Sequence, residues 1–161
     1  MSAILVSAFP GMGKTYAFNT LGKQLKILDS DSSKFDKSDF PKNYIEHIKE
    51  NIANNDIIFI SSHKEVRDAL EMENIDFDLF YPSKDRRNEC LEKCVARHSP
   101  RDLIMKIDNH WNEWIDEIEH DSNKNCHKHC LSHTGEFIGN NPMIMTYVDQ
   151  VIKAKENKNN E

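Results

Sequence analysis

An α/β fold, a mostly parallel sheet with helices on both faces, is what the chain predicts, and three observations lead there. Short continuous apolar runs recur at residues 3–6, 25–28, 57–60 and 77–81, the pattern of strands buried on both faces. Segments with apolar residues at helical spacing lie between them, so strand and helix alternate and right-handed crossovers call for a parallel sheet. A length of 161 residues suits one compact domain, and a hydrophobic set of 38% with Phe 8, Trp 2 and Tyr 4 is enough to build its core.

Ala3-Ile4-Leu5-Val6-Ser7 predicts the first strand, followed at once by a turn holding Gly11 and Gly13. Tyr16, Ala17, Phe18 and Leu21 predict a helix over 14–24, with Gly22 as its stop. Leu25-Lys26-Ile27-Leu28 predicts a second strand, closed by the polar run Asp29 to Ser33, and Tyr44, Ile45, Ile48 and Ile52 predict a helix over about 42–54. Ile57 to Ile60 is the clearest strand, ended by Ser61-Ser62-His63. A helix over 64–73 follows through Val66, Ala69 and Leu70. Phe77 to Tyr81 predicts a fourth strand, stopped by Pro82 because proline has no N–H for a ladder.

From Ser83 the character changes to two helices, 85–97 and 102–119, separated by His98-Ser99-Pro100. The second carries Leu103, Ile107, Trp111, Trp114, Ile115 and Ile118 as an apolar stripe directed at the core. Residues 127–131 predict a weak edge strand and 143–155 a last helix; residues 156–161 are expected to fray. One domain therefore spans 1–155, with a helical lid at about 83–119.

A net charge of -6 argues against a generally basic nucleic-acid binder. The apolar run at 3–6 is too short to span a bilayer and lacks the cationic start of a signal peptide, so no membrane is expected and a cytoplasmic location is. There the four cysteines stay reduced.

Two of the five glycines sit together in Ala8-Phe9-Pro10-Gly11-Met12-Gly13-Lys14-Thr15, which fits the phosphate-binding loop pattern with alanine in place of the first glycine. By average residue frequencies the pattern arises by chance in about one such chain in a hundred. Gly11 and Gly13 open backbone conformations closed to other residues, so that successive N–H groups converge on phosphate oxygens. Lys14 neutralises β- and γ-phosphate charge, Thr15 coordinates Mg²⁺, and the helix starting there aims its positive end at the anion. Pro10, Gly11, Met12, Gly13, Lys14, Thr15 and Tyr16 are the expected contacts of ATP. A dinucleotide fingerprint fails, because Tyr16 stands where its third glycine would be.

The reaction depends on neighbouring groups. Ile57 to Ile60 ends without the carboxylate that motors and switches use for Mg²⁺, and no Asn-Lys-x-Asp guanine motif is present. Asp29 and Asp31 follow the second strand instead. Such a pair divides the work, Asp29 orienting Mg²⁺ through water and Asp31 accepting the proton of an attacking hydroxyl. Lys84, Arg86, Arg87, Lys93, Arg97 and Arg101 concentrate positive charge after the fourth strand, and Arg97 and Arg101, flanking the Pro100 turn, are the expected lid arginines.

Together these residues resemble the small P-loop kinases of nucleosides, nucleotides and small metabolites, a group that includes shikimate and gluconate kinases. Asp29-Ser30-Asp31 looks like the D-T-D segment of shikimate kinases, which implies an outer-sphere Mg²⁺ role for Asp29 and acceptor contact for Asp31. The stretch from Phe80-Tyr81-Pro82 through Arg97 to Trp111-Asn112-Glu113-Trp114 is similar to the lid of phage and bacterial P-loop kinases, including phage kinases that phosphorylate hydroxymethyluracil in DNA. The resemblance covers residues 1–119 and implies a three-layer P-loop NTPase fold. Its expected activity is ATP- and Mg²⁺-dependent transfer to a nucleoside, nucleotide or related small molecule. DNA as acceptor polymer and a nucleotide sensor without acceptor are the alternatives. Ser61-Ser62-His63 lacks the paired glycines and arginine that bind shikimate, so shikimate is not the expected substrate, and Ser62 and His63 become candidate acceptor contacts.

Cys126-His127-Lys128-His129-Cys130, with His133, concentrates potential metal ligands, but the spacing matches no common zinc pattern. Whether Cys126, His127, His129 and Cys130 bind a metal stays open at this level. Cys90 and Cys94, one helical turn apart, read as two small buried residues.

Overall fold

The computed structural model describes residues 2–161. Five parallel strands, β1 (Ile4–Ala8), β2 (Ile27–Asp29), β3 (Ile57–Ile60), β4 (Phe77–Pro82) and β5 (Cys126–Leu131), form one sheet in the order β2-β3-β1-β4-β5. Six helices accompany them: α1 (Lys14–Leu21), α2 (Lys42–Asn51), α3 (Lys64–Met72), α4 (Arg87–Ala96), α5 (Arg101–Glu119) and α6 (Pro142–Asn159).

Strand order fixes where the helices go. The step from β1 to β2 runs one way across the sheet and every later step runs the other way. Right-handed crossovers therefore place α1 on one face and α2, α3 and the α4–α5 hairpin on the opposite face. α6 returns to the α1 side, where the Tyr147 hydroxyl donates to the Asp56 carbonyl at 2.8 Å and Lys155 reaches the Gln24 carbonyl at 3.4 Å. Covering both faces is what the apolar runs require: all four residues of β3 are buried, as are Leu5, Val6 and Ser7 of the central β1. Because the chain leaves β1 toward one face and leaves its neighbour β3 toward the other, the crevice at the carboxyl ends of these two strands is where such a sheet admits a ligand.

Several elements depart from the sequence expectation. β2 begins at Ile27 rather than Leu25, because the Gln24 and Leu25 amides both donate to the Leu21 carbonyl at 3.1 Å and prolong the end of α1. Asp29, expected in the following loop, is consequently the last residue of the strand, opposite Phe59. Pro82 is the last residue of β4 rather than its stop, which costs nothing where no further ladder bond is needed. β5 is at the edge of the sheet as expected but starts one residue earlier, at Cys126, and all six of its residues pair with β4. α6 runs to Asn159, so the tail expected to fray from residue 156 is helical for one more turn.

The segment expected to be a lid is seated in the fold. Cys90 and Cys94 of α4 and Ile107, Trp111, Ile115 and Ile118 of α5 are buried, and the Trp111 indole N–H donates to the Lys84 carbonyl at 2.8 Å. An apolar stripe of that width has to be covered, and covering it fixes the hairpin against the sheet. No described helix is long and apolar enough to cross a membrane.

Candidate functional site

The loop between β1 and α1 is built from the inside out. Phe9 is buried, its ring edge-on to Trp111 at 5.3 Å, and its amide donates to the Phe80 carbonyl at 2.9 Å, extending the central ladder by one bond. Met12 is buried too, and its carbonyl accepts from Ile138 at 3.0 Å, tying the loop to the segment before α6. With both apolar side chains turned inward, the intervening backbone is left to turn outward, and Gly11 and Gly13 do so at φ +89° and +86°. A Cβ on Gly13 would stand 3.1 Å from Cβ of Phe137. Gly13 is the N-cap of α1 with no side-chain cap, and among the described residues the amides of Gly13, Lys14 and Thr15 have no hydrogen-bond acceptor. Converging unpaired donors at a helix start favour an anion.

Lys14, the first residue of α1, places Nζ 3.2 Å from Oδ1 of Asp29, with both side chains over a third exposed. Thr15 is exposed beside it, and Tyr16 is 69% exposed and lies against Gly139. Asp31 is exposed at the start of the 3₁₀ turn Ser32–Lys34, where Oδ1 accepts from the Ser33 amide at 2.9 Å. Hydrogen bonds from the Ser33 side chain and amide hold its carboxyl below the usual range, with a smaller contribution from the charge of Lys14. Asp31 is therefore ionised at neutral pH and a weak base.

Tyr44 of α2 joins the ends of the two strands. Its hydroxyl donates to the Ser30 carbonyl at 2.7 Å and accepts from the Ser61 amide at 3.0 Å. Burial pushes the phenol up to about 12, so it stays protonated and keeps both bonds. Ser30 also meets Nε2 of His47 at 3.1 Å, and the Ser7 hydroxyl donates to the Ser61 carbonyl at 3.3 Å.

These strand ends open into a cleft of about 470 Å³. Phe9, Pro10 and Lys14 line one side, Ser30, Asp31 and Ser32 the next, and Ser61, Ser62 and His63 the floor at the end of β3. α3 contributes Lys64 and Arg67, and α5 contributes Leu103, Trp114 and Glu117. The cleft thus joins Lys14 to Asp31 and to the Ser62 and His63 contacts that the sequence suggested.

Comparison of the chain with protein-family models finds no match, and comparison with curated proteins finds none. Comparison with solved structures finds a similarity to a crystal structure of an uncharacterized protein from Eubacterium ventriosum ATCC 27560, at 12% identity and a TM-score of 0.41, over 96% of this chain and 98% of that one.

Arg97 and Arg101, the expected lid arginines, do not line the cleft. Both are exposed at the α4–α5 turn, where the Arg97 Nε donates to the Ser99 hydroxyl at 2.9 Å. The other cations of that region are engaged locally: Lys84 with Asp116, Arg87 with Asp108, and Arg86 with Glu89 at 2.8 Å and with the Glu136 carbonyl at 2.8 Å. The arginine that does reach the cleft is Arg67, only 2% exposed, whose Nε donates to the Ser62 carbonyl at 3.0 Å, Nη2 to Glu117 at 2.6 Å and Nη1 to Asp121. Its sole sequence signal was an arginine beside Val66 on the buried face of α3. Its carboxylate partners lie 50 and 54 residues away in the chain.

The Cys/His run is separated by the strand that carries it. Alternation along β5 sends Cys126 and Cys130 to one face and His127 and His129 to the other. His129 meets Oδ1 of Asp78 at 2.8 Å and stacks on Phe80, and burial pushes the Cys126 thiol up to about 11, away from the thiolate a metal needs. Among the described residues no group of three or more His, Cys, Asp or Glu is placed to hold a metal ion.

Proposed function

We propose that the protein is a P-loop kinase of the small nucleoside and nucleotide type, transferring the γ-phosphoryl group of ATP, with Mg²⁺, to an acceptor hydroxyl. The observation that supports this reading is that Pro10 and Lys14, either side of the left-handed glycine turn with its unpaired amides, share one cleft with the carboxylate of Asp31 at the carboxyl end of the central strand.

The residues present fit the nucleotide and its ion. Gly11 and Gly13 are left-handed with Cys90 and Phe137 packed where a Cβ would go, which keeps the loop on the backbone path a phosphate cradle needs, and Thr15 with Asp29 would be the sparse oxygen set that Mg²⁺ uses when phosphates and water complete its shell. With nucleotide bound, Lys14 would exchange its contact with Asp29 for phosphate oxygens, and the freed Asp29 would help hold the ion, which would neutralise phosphate charge. ATP supplies the phosphoryl group. Asp31, ionised and weakly basic, orients the acceptor hydroxyl and takes its proton late in the transfer. Arg67, locked to Ser62, Glu117 and Asp121, holds the end of β3 and the wall of α5 in place.

Transfer of label from γ-labelled ATP to a panel of nucleosides, nucleotides and DNA tests this reading. Asp31→Asn is expected to abolish transfer while leaving ATP affinity within about twofold, since it leaves the cradle intact. Unchanged turnover in that variant would remove Asp31 from the mechanism.

A further inference from the structure

Resting on that kinase reading, we infer that the acceptor is an uncharged, ring-bearing alcohol of nucleoside type and not a phosphate-bearing one. The cations that line the cleft and the carboxylates paired with them decide it. A phosphorylated acceptor needs cations free to hold its phosphate, as unpaired, forked arginines do. Here every cleft lysine and arginine is already bound to a carboxylate. Lys64 holds Asp68 at 2.8 Å, Arg67 holds Glu117 and Asp121, and Lys14 holds Asp29. Once ATP claims Lys14, no lysine or arginine without a carboxylate partner is left on the acceptor side.

The three cations of the lining, Lys14, Lys64 and Arg67, are matched by Asp31 and Glu117 within it and by Asp29, Asp68 and Asp121 just outside it. A dianionic phosphate would enter a site whose cations already have carboxylate partners, beside the γ-phosphate itself. Arg67 cannot be recruited, because at 2% exposure its three donor groups point at Ser62, Glu117 and Asp121. The start of α3 also opens into the cleft, without a side-chain cap at His63, but Glu65 in its first turn offsets that positive end.

What the cleft does offer suits a flat, polar-edged body. Trp114 is half-buried on one wall with Phe9 edge-on at 6.3 Å, and Leu103, Ile118 and Ile60 extend the apolar surface. Ser61, Ser62 and Glu117 offer hydrogen bonds at its margin, and Asp31 stands toward Lys14. Its volume lies in the ordinary range for a small-molecule site. In the transfer the acceptor oxygen bonds to the γ-phosphorus and gives its proton to Asp31. The bond that breaks joins the γ-phosphorus to the β,γ-bridging oxygen, whose electron pair leaves with the nucleoside diphosphate.

The test pairs each of thymidine, uridine and adenosine with its own 5′-monophosphate, adds a thymidine oligonucleotide, and measures kcat/KM for label transfer by the full chain with Mg²⁺ and ATP. The inference predicts at least about a tenfold preference for one of the nucleosides over its monophosphate and over the oligonucleotide. Asp68→Asn, a surface change that frees Lys64, should narrow that preference several-fold without changing ATP affinity. Preference for a monophosphate or the oligonucleotide would overturn the inference, as would a preference that Asp68→Asn leaves unchanged. If ATP binds in a Lys14-dependent way and none of the panel is phosphorylated, the acceptor assignment fails while the nucleotide site stands. If ATP does not bind, the kinase reading fails first.

Discussion

The Lys14–Asp29 pair at the carboxyl ends of β1 and β2 and the Lys155–Asp56 pair at the amino end of β3 use the same two residue types at opposite ends of one sheet. Lys14 and Asp29 touch only each other, at 3.2 Å, with side chains 37% and 38% exposed. Asp56 is 19% exposed and sits at a junction: its carboxylate accepts from Lys155 and from the Lys26 amide, both at 2.7 Å, and its carbonyl accepts from Tyr147 at 2.8 Å and Ile4 at 3.1 Å. The second pair binds β1, β2, β3 and α6 together. The first binds almost nothing, and an ion pair with no structural duty is free to exchange partners. Surface pairs of that kind add little stability, whereas removing one member of a bonded, half-buried pair strands the other.

Substitutions at the two ends should therefore separate function from stability. Asp29→Asn is expected to lower phosphoryl transfer by about 10- to 100-fold, the usual effect of losing an outer-sphere partner of a metal, with the thermal midpoint unmoved in a melting curve. Asp56→Ala should do the reverse, costing about 2 kcal/mol in urea unfolding while leaving transfer per folded molecule unchanged. Between the two ends, Tyr44→Phe removes the hydroxyl that spans Ser30 and Ser61. It should cost about 1–2 kcal/mol and also raise KM for the acceptor, because it loosens the cleft floor.

Acidity sharpens the same contrast. Burial alone would raise the Asp56 carboxyl, but the bonds from Lys155 and the Lys26 amide outweigh it and the net shift is downward. A carboxyl depressed in the folded state stabilises above its unfolded value and loses that contribution as pH falls through its folded one. The deficit of Asp56→Ala relative to the wild type should be complete at pH 7 and shrink below about pH 4 in pH-dependent unfolding. The smallest effects belong to the α4–α5 turn: Arg97→Ala and Arg101→Ala should each change transfer by no more than about twofold and stability by about 0.5 kcal/mol. A large loss of transfer in either variant would put that turn over the cleft and restore the lid.

What could be read from sequence was local. The loop at 8–15 and the run at 57–60 were legible because their signal lies within one continuous stretch: two glycines ahead of a lysine, or four apolar residues with no polar break. The boundary of β2 was not, since whether Leu25 belongs to strand or helix end depends on a bond to Leu21 and on where β3 starts. The cluster of cations after β4 misled for a related reason. Its partners, Asp108 and Asp116 among them, come from the facing helix, and only folding shows that the charges are spent on one another. Arg67 was invisible as a cleft residue because Glu117 and Asp121 reach it across half a hundred residues. The walls of the cleft at α3 and α5 are made almost wholly of such long-range contacts, while the wall after β1 is made of one loop.

The account rests most directly on what the 8–15 loop binds. Calorimetric titration of ATP with Mg²⁺ into the wild type and into Lys14→Ala, with melting curves to confirm that both are folded, examines it in one measurement. Saturable one-to-one binding by the wild type, weakened at least about 100-fold in the variant, is the expected result. Equal binding by the two proteins, or none by the folded wild type, would contradict it.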